Sequence, residues 1–273
     1  MTSRLLRLPD SGRLLVATDI QGNLRDFQRM VTLLEASPQD TVLVFTGDMV
    51  HGPDALTEQQ WPDYLGTPYK DESPEVIQAF LRAQARYPGR VHCLMGNHEH
   101  AHVGGPRTAK FHADEAQVLE ERMAPDEVQT LRSLIQQLPL VAVAPNGVVL
   151  LHAAPSAPLR SLAQLEDVKL EGYFGWGIEE FFRESVLGPM LWSRMATAEQ
   201  ARAFLSVLGG RIAIYGHDVV REGYERMGLE QLCVSTSFAL LDEHKTYVQL
   251  DLGTVYPDVQ MLREGIELRR LYG

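Results

Sequence analysis

Cysteine is scarce in this chain: Cys93 and Cys233 are the only two, far apart, with no C-x-x-C pair. That excludes a disulfide framework and a thiolate zinc site, and it fits a reducing compartment. Long apolar runs are missing as well. The stretch MTSRLLRLPDSGR carries a charge every few residues and no apolar signal core, and no later run reaches the length of a membrane span. The expectation is a soluble, cytoplasmic protein with no membrane partner. Clusters of Lys and Arg are also lacking. With a formal net charge of −11, no nucleic-acid-binding surface is expected, and part of the acidity can be answered by divalent cations. The phosphate-cradling G-x-x-x-x-G-K-[ST], the dinucleotide G-x-G-x-x-G and the nucleophile elbow G-x-S-x-G do not occur, nor do internal repeats or low-complexity segments.

What is present is a chain of 273 residues, 45% hydrophobic, long enough to bury a sizeable core and most simply one domain over residues 1–273. Five short runs rich in Val, Leu and Ile read as buried strands, at 14–18, 42–46, 91–95, 148–151 and 211–215. Leu24, Phe27, Val31 and Leu34 recur at helical spacing, and Ser73 and Pro74 read as an N-cap and first-turn proline opening a helix through Tyr87. Helices are also expected over 114–123, 126–138 and 197–208. Strands alternating with helices predict an α/β fold with a largely parallel central sheet, to which 231–238 and 246–252 add as antiparallel or second-sheet strands. The irregular stretch 51–73 reads as a long loop beside a site.

Each buried run ends in a polar residue of the same general kind. LLVAT runs into Asp19, VLVFT into Gly47-Asp48, VHCLM into Gly96-Asn97-His98-Glu99, VVLL into His152, and RIAIY into Gly216-His217. One such residue alone is more simply a turn or cap. Five in succession are not, because α/β sheets collect ligands at the carboxyl ends of their strands. Oxygen and imidazole donors without thiolates suit Mn, Fe, Zn or Mg-like ions, and Asp48 has two oxygens with which to bridge a pair.

Taken together, D-I-Q-G-N, G-D-M-V-H-G-P, G-N-H-E, L-H-A-A-P and Y-G-H resemble the motif series of calcineurin-like metallophosphoesterases. LPLVAVAPNGVVLLHAAPS, MLWS and GHDVVREGYE are similar to stretches of the Ser/Thr phosphoprotein phosphatase family, while the proline of G-D-M-V-H-G-P is similar to the symmetrical diadenosine tetraphosphatases. The resemblance runs from about Leu14 to Leu252 and implies two packed mixed sheets flanked by helices, with two divalent metal ions, Mn, Fe or Zn, between them. It implies that Asp19 and Gln21 bind the first metal, that Asp48 bridges, and that Asn97, His152 and His217 bind the second. The implied activity is hydrolysis of phosphate monoesters by metal-activated hydroxide, without a covalent intermediate, on a phosphoprotein or a small phosphate ester or nucleotide. Because the side chains of neighbours diverge, His98 beside a ligating Asn97 is placed as the general acid, and Glu99 as a support.

Three positions depart from the phosphatase pattern. Gln21 stands where that pattern has His, so the first metal should be looser; His51 and Gly52 stand where it has Asp and Arg, which removes the partner of the general acid and a phosphate-clamping guanidinium. His51 remains a candidate substrate-binding residue, and Arg194, Arg107 or Lys110 are candidates for the missing charge. His100 and His102, alternating with His98, read as structural in preference to a separate metal site on one strand face, and Trp61, Tyr64 and Tyr69 in the long loop read either as anchors that pack the loop to its domain or as a stacking platform for a nucleobase. Two further readings stand beside the monoesterase: a hydrolase of dinucleoside polyphosphates or other phosphodiesters, and a non-catalytic binding module, which the intact set around His98 disfavours.

Overall fold

The structure, a computed structural model, describes residues 3–53 and 58–273. Its strands are β1 (Leu5–Arg7), β2 (Arg13–Ala17), β3 (Val42–Phe45), β4 (Val91–Cys93), β5 (Val141–Val143), β6 (Val148–Leu151), β7 (Ile212–Tyr215), β8 (Tyr224–Met227), β9 (Gln231–Val234), β10 (Thr246–Asp251) and β11 (Leu268–Arg270). They form two mixed sheets, one in the order β1-β5-β6-β7-β9-β8 and one in the order β11-β10-β2-β3-β4.

These are the two packed mixed sheets that the resemblance implies, and the largely parallel central sheet read from the alternation of strands and helices is divided between them. β2, β3 and β4 run parallel in one sheet, with β10 antiparallel beside β2; β6, β7 and β9 run parallel in the other, with β5 antiparallel to β6, β1 parallel to β5, and β8 antiparallel to β9. A period of two explains why these strands are apolar on both faces. In β2 and β3, Leu14, Val16, Val42 and Val44 pack against Val148, Leu150, Ile212 and Ile214 of the opposite sheet. The alternate residues Leu15, Ala17, Leu43 and Phe45 face the helices, where Phe45 stacks on Phe27 at 5.1 Å between ring centres and meets Phe80 edge-on at 6.5 Å. Neither face can tolerate a polar residue, so the polar residues come only where the strands stop.

The helical expectations fall close to the observed elements: Leu24–Glu35, Ser73–Arg86, Glu115–Glu121, Pro125–Gln136 and Ala198–Leu208. Asn23 caps the first by accepting the Asp26 N–H at 3.1 Å, as polar caps do. Ser73 differs from its expected role. The helix starts at Ser73 itself, and its hydroxyl donates to Asp71 at 2.5 Å and accepts the His51 N–H at 2.9 Å, so it braces the site loop instead of capping. Of the irregular stretch 51–73, residues 54–57 lie outside the described residues. Trp61 donates to the Gly66 carbonyl at 2.9 Å and lies against Tyr69, whose hydroxyl donates to the Gln21 carbonyl at 2.9 Å, so these aromatics fasten the loop to the site strand. Among the described residues no helix is long and apolar enough to cross a membrane.

Candidate metal centre

β2, β3 and β4 in one sheet and β6 and β7 in the other all end at the same rim of the sandwich, and the residues that follow them converge. Asp19, Gln21, Asp48, His51 and His217 all adopt left-handed backbone, at φ 48°, 41°, 54°, 67° and 68°. For side chains other than glycine this costs on the order of 1–3 kcal/mol each and persists only where the surroundings enforce it. Glu99 supplies much of the enforcement: its carboxylate accepts the backbone N–H groups of Asp48 at 2.8 Å, Met49 at 2.7 Å and Gly96 at 3.0 Å, tying the tips after β3 and β4 together. The close approach also needs glycine. A Cβ on Gly96 would overlap the Asp48 carboxylate, and one on Gly216 would overlap that of Asp19.

Within this frame the donor atoms face one another. His152 donates Nδ1–H to the Thr46 carbonyl at 3.0 Å, which can only accept, so its Nε2 carries a bare lone pair. That Nε2 lies 2.9 Å from Asn97 Oδ1, 3.1 Å from His217 Nδ1 and 3.4 Å from Asp48 Oδ1. His217 makes its own hydrogen bond to the Trp192 backbone and presents its remaining nitrogen to the same point. Lone pairs gathered in a buried pocket repel unless a cation lies among them. Asp48, His152 and His217 form one of the candidate metal-holding groups of the described residues. The charge balance points the same way. Burial, then the Asp48 charge, pushes the Asp19 carboxyl up to about 7; burial pushes Asp48 up to about 7. Burial holds the imidazoles of His152 and His217 below their usual range. Acids reluctant to ionise and bases reluctant to protonate are both relieved by a divalent ion.

The donors expected for the first metal are arranged differently. Asp19 accepts the His217 N–H through both oxygens, at 3.1 and 3.0 Å. Gln21 turns its amide oxygen to the Lys110 ammonium at 3.0 Å and its amide nitrogen to Asp48 Oδ2 at 3.4 Å. The Lys110 ammonium, 4.1 Å above the Phe238 ring, is lowered from the ordinary lysine range by loss of water, against the attraction of Asp48, Asp19 and Glu115. The residue is exposed, which puts Lys110 at the mouth of the site. Arg194 is exposed and paired with Asp218 at 2.6 Å, close enough for its charge to act on Lys110 and His217. Arg107 is paired with Asp114 at 3.0 Å and lies over the Phe174 ring, outside the donor cluster.

The histidines sort themselves clearly. His98, 3% exposed, receives its place from its backbone N–H, which donates to Asp48 Oδ1 at 3.1 Å, and its Nε2 lies 3.8 Å from Asp48 Oδ2. His51 was expected to face substrate but sits behind His98, with both ring nitrogens taken: Nδ1 lies 2.9 Å from His98 Nδ1 and Nε2 lies 2.9 Å from His102 Nε2. His100 is structural, bonded to the Leu170 carbonyl at 2.7 Å and stacked on Phe181. The alternation of His98, His100 and His102 does not mark a strand face, because residues Asn97–His100 form a helical turn. Glu115 was not singled out in the sequence. It is buried with one unpartnered oxygen 3.7 Å from His98 Nδ1, and only its place at the start of a helix, after the Asp114 cap, gave any signal.

The sequence model of the calcineurin-like phosphoesterase family matches residues 12–221. The chain belongs to this family. Its members are dinuclear metal-dependent enzymes, and the donor groups described here are candidates for that role. A serine/threonine-protein phosphatase of Caenorhabditis elegans is 26% identical over 160 residues, which cover 55% of this chain and 35% of that one. The match thus spans about a third of the relative's length. The phosphoesterase fold is shared with a protein serine/threonine phosphatase from Saccharomyces cerevisiae, at 15% identity and a TM-score of 0.61 over 86% of this chain and 72% of that one. It is shared also with a cold-active protein-tyrosine phosphatase of a psychrophilic Shewanella, at 14% identity and a TM-score of 0.60 over 93% and 78%.

Proposed function

We propose that this phosphoesterase hydrolyses phosphate monoesters in the manner of the Ser/Thr protein phosphatases, acting as one cytoplasmic catalytic domain on a phosphoprotein or a small phosphate ester. The observation that carries the reading is the inward convergence of the His152, His217, Asn97 and Asp48 donors on one point, a group that could hold a metal ion. The matched serine/threonine-protein phosphatase favours the monoester class. Divalent ions held by Asn97, His152, His217 and Asp48, and more weakly by Asp19, Gln21 and Asp48, would polarise the phosphoryl oxygens and acidify water.

The chain's own residues supply the rest. Asp48, fixed by the Glu99 clamp, stands between the two donor sets. His98 presents Nε2 on the Asp48 side, where it gives its proton to the departing alkoxide oxygen. Lys110 reaches in from the mouth and offers its ammonium to the phosphoryl oxygens, with Arg194 beyond it at the rim. Asp48→Asn should lose activity and metal together, because one carboxylate serves both donor sets. Metal content of the purified protein and Mn²⁺-dependent release of phosphate from phosphoserine peptides and an aryl phosphate test the proposal. Full activity after exhaustive chelation, or in Asp48→Asn, would falsify it.

A further inference from the structure

Behind His98 lies an unbroken row of side chains that the hydrolytic reading does not use. His98 Nδ1 meets His51 Nδ1 at 2.9 Å, His51 Nε2 meets His102 Nε2 at 2.9 Å, and His102 Nδ1 meets Glu120 Oε1 at 2.9 Å. The three histidines are 3%, 4% and 6% exposed. At the outer end Arg132 grips Glu120 with two hydrogen bonds, from Nε to Oε1 at 3.0 Å and from a terminal nitrogen to Oε2 at 2.6 Å. Burial works against ionisation of Glu120, but hydrogen bonds from His102 and Arg132 bring it down to about 2, so it is a carboxylate.

A carboxylate has no proton to give, and where each ring carries a single proton this fixes the direction of every bond in the row. His102 must donate Nδ1–H to Glu120, which leaves its Nε2 bare. His51 must therefore donate Nε2–H to His102, which leaves its Nδ1 bare. His98 must then donate Nδ1–H to His51. We infer that Glu120, through His102 and His51, fixes the tautomer and ring orientation of His98, so that Nδ1–H is always committed to the row and the bare Nε2 is the nitrogen that takes up the proton released by the attacking water and passes it to the departing alkoxide oxygen. The family pattern has Asp where this chain has His51, and the row passes the role of that carboxylate outward to Glu120. This inference rests on the proposed role of His98 as the acid.

Glu120, His102 and His51 are positioning residues, since none of them reaches the reacting atoms. The nearby Thr108 hydroxyl, 3.3 Å from His51 Nδ1, can donate to the same bare nitrogen, and the Glu115 oxygen at 3.7 Å from His98 Nδ1 favours a proton there. His51, His98 and Glu115 also form a group that could hold an ion. An ion there would need bare Nδ1 atoms on both His51 and His98, whereas the row needs a proton between them.

Nitrogen-15 NMR of the full chain with labelled histidine reads the tautomers directly and without turnover. The expected pattern is Nδ1–H on His98, Nε2–H on His51 and Nδ1–H on His102. An Nε2–H tautomer of His98, or bare Nδ1 atoms on both His51 and His98 as an ion between them would leave, overturns the inference. Kinetics supply the second arm. His102→Phe should cut kcat on an alkyl phosphate by about 10- to 100-fold, as loss of an outer hydrogen-bond partner does, with KM and metal content unchanged. The loss should be much smaller for a nitrophenyl phosphate, whose leaving group needs no proton. His51→Asp added to His102→Phe should recover kcat, because a carboxylate at 51 accepts from His98 directly and Asp tolerates the left-handed backbone there. Equal losses on both substrates, or no recovery, also overturn it. Should the wild-type chain hydrolyse nothing while the expected tautomers are observed, the row stands and the hydrolytic reading falls.

Discussion

Replacing Lys110 by Met separates two consequences of one ammonium group. The nitrogen lies 3.0 Å from the Gln21 amide oxygen and within the field of Asp48, Asp19 and Glu115, at the mouth of the donor cluster. If it meets the phosphoryl group there, its loss removes one charge-assisted hydrogen bond, worth about 1.5–3 kcal/mol, or about 10- to 150-fold in kcat/KM. Arg194 provides the contrast. Its side chain is 58% exposed and already paired with Asp218 at 2.6 Å. An exposed pair of this kind is worth at most about 1 kcal/mol, so Arg194→Ala should cost less than about fivefold. The second consequence has the opposite sign. Lys110 competes with a cation for the Gln21 oxygen and repels it, so Lys110→Met should raise metal content from nearer one equivalent toward two and shift Mn²⁺ activation to lower concentration. Steady-state kinetics on an aryl phosphate, inorganic-phosphate inhibition and metal analysis on dialysed protein measure all three. Wild-type kcat/KM in Lys110→Met together with a large loss in Arg194→Ala would return the clamp to Arg194 and refute the reasoning.

Two other outcomes follow from the buried charges. Asp19 and Asp48, pushed up to about 7 by burial, hold protons below that pH in the metal-free protein, and metal must displace them. Mn²⁺ binding should therefore release more protons at pH 6 than at pH 8 and weaken as pH falls below about 7, as titration in weak buffer would record; pH-independent release would contradict it. Away from the site, Lys245 is 1% exposed, with its ammonium 2.8 Å from Asp26 and 2.9 Å from Asp242. Lys245→Met strands Asp26, which also accepts from Ser237 and Tyr272, and should cost about 3–5 kcal/mol in urea unfolding. A loss below about 1 kcal/mol would mean that Asp26 finds water.

Much of the fold was legible because its core strands are buried on both faces. Runs such as LLVAT and VLVFT need no alternation to be read as strands, and their lengths match β2 and β3 within a residue or so. Three of the shortest strands were not legible. Leu5–Arg7, Val141–Val143 and Leu268–Arg270 have three residues each, too few for any period to show. Nor does composition say which strands share a sheet, so the division between β4 and β6 had to come from the structure. Asp19, Asp48, Asn97, His98, His152 and His217 could be singled out because strand ends carry them to one rim. Lys110, Glu115 and Glu120 gather by tertiary packing after long irregular chain, and Lys110 was only one of three candidate cations.

The three departures at Gln21, His51 and Gly52 have a common structural reason. A Cβ on Gly52 would stand 2.5 Å from the Gln21 carbonyl oxygen and 2.9 Å from Asp71 Oδ1. Tyr69 donates to that same carbonyl, and Asp71 accepts the Gly52 N–H at 3.1 Å, so neither neighbour is free to yield. An arginine cannot occupy position 52 in this backbone, and the charge it would bring must enter from another segment. The segment that supplies it lies between β4 and β5, where Lys110 reaches Gln21, Glu115 lies beside His98, and His102 and Glu120 continue the row that His51 begins. One excursion of the chain therefore answers all three substitutions. It provides a cation at the amide that replaced an imidazole, a distant carboxylate for the histidine that replaced an aspartate, and a positive charge for the glycine that replaced an arginine. Changes confined to positions 21 or 51 would restore the family's residue types while taking the amide oxygen from Lys110 and the ring partner from His102, which is why the compensating residues have to be changed together with them.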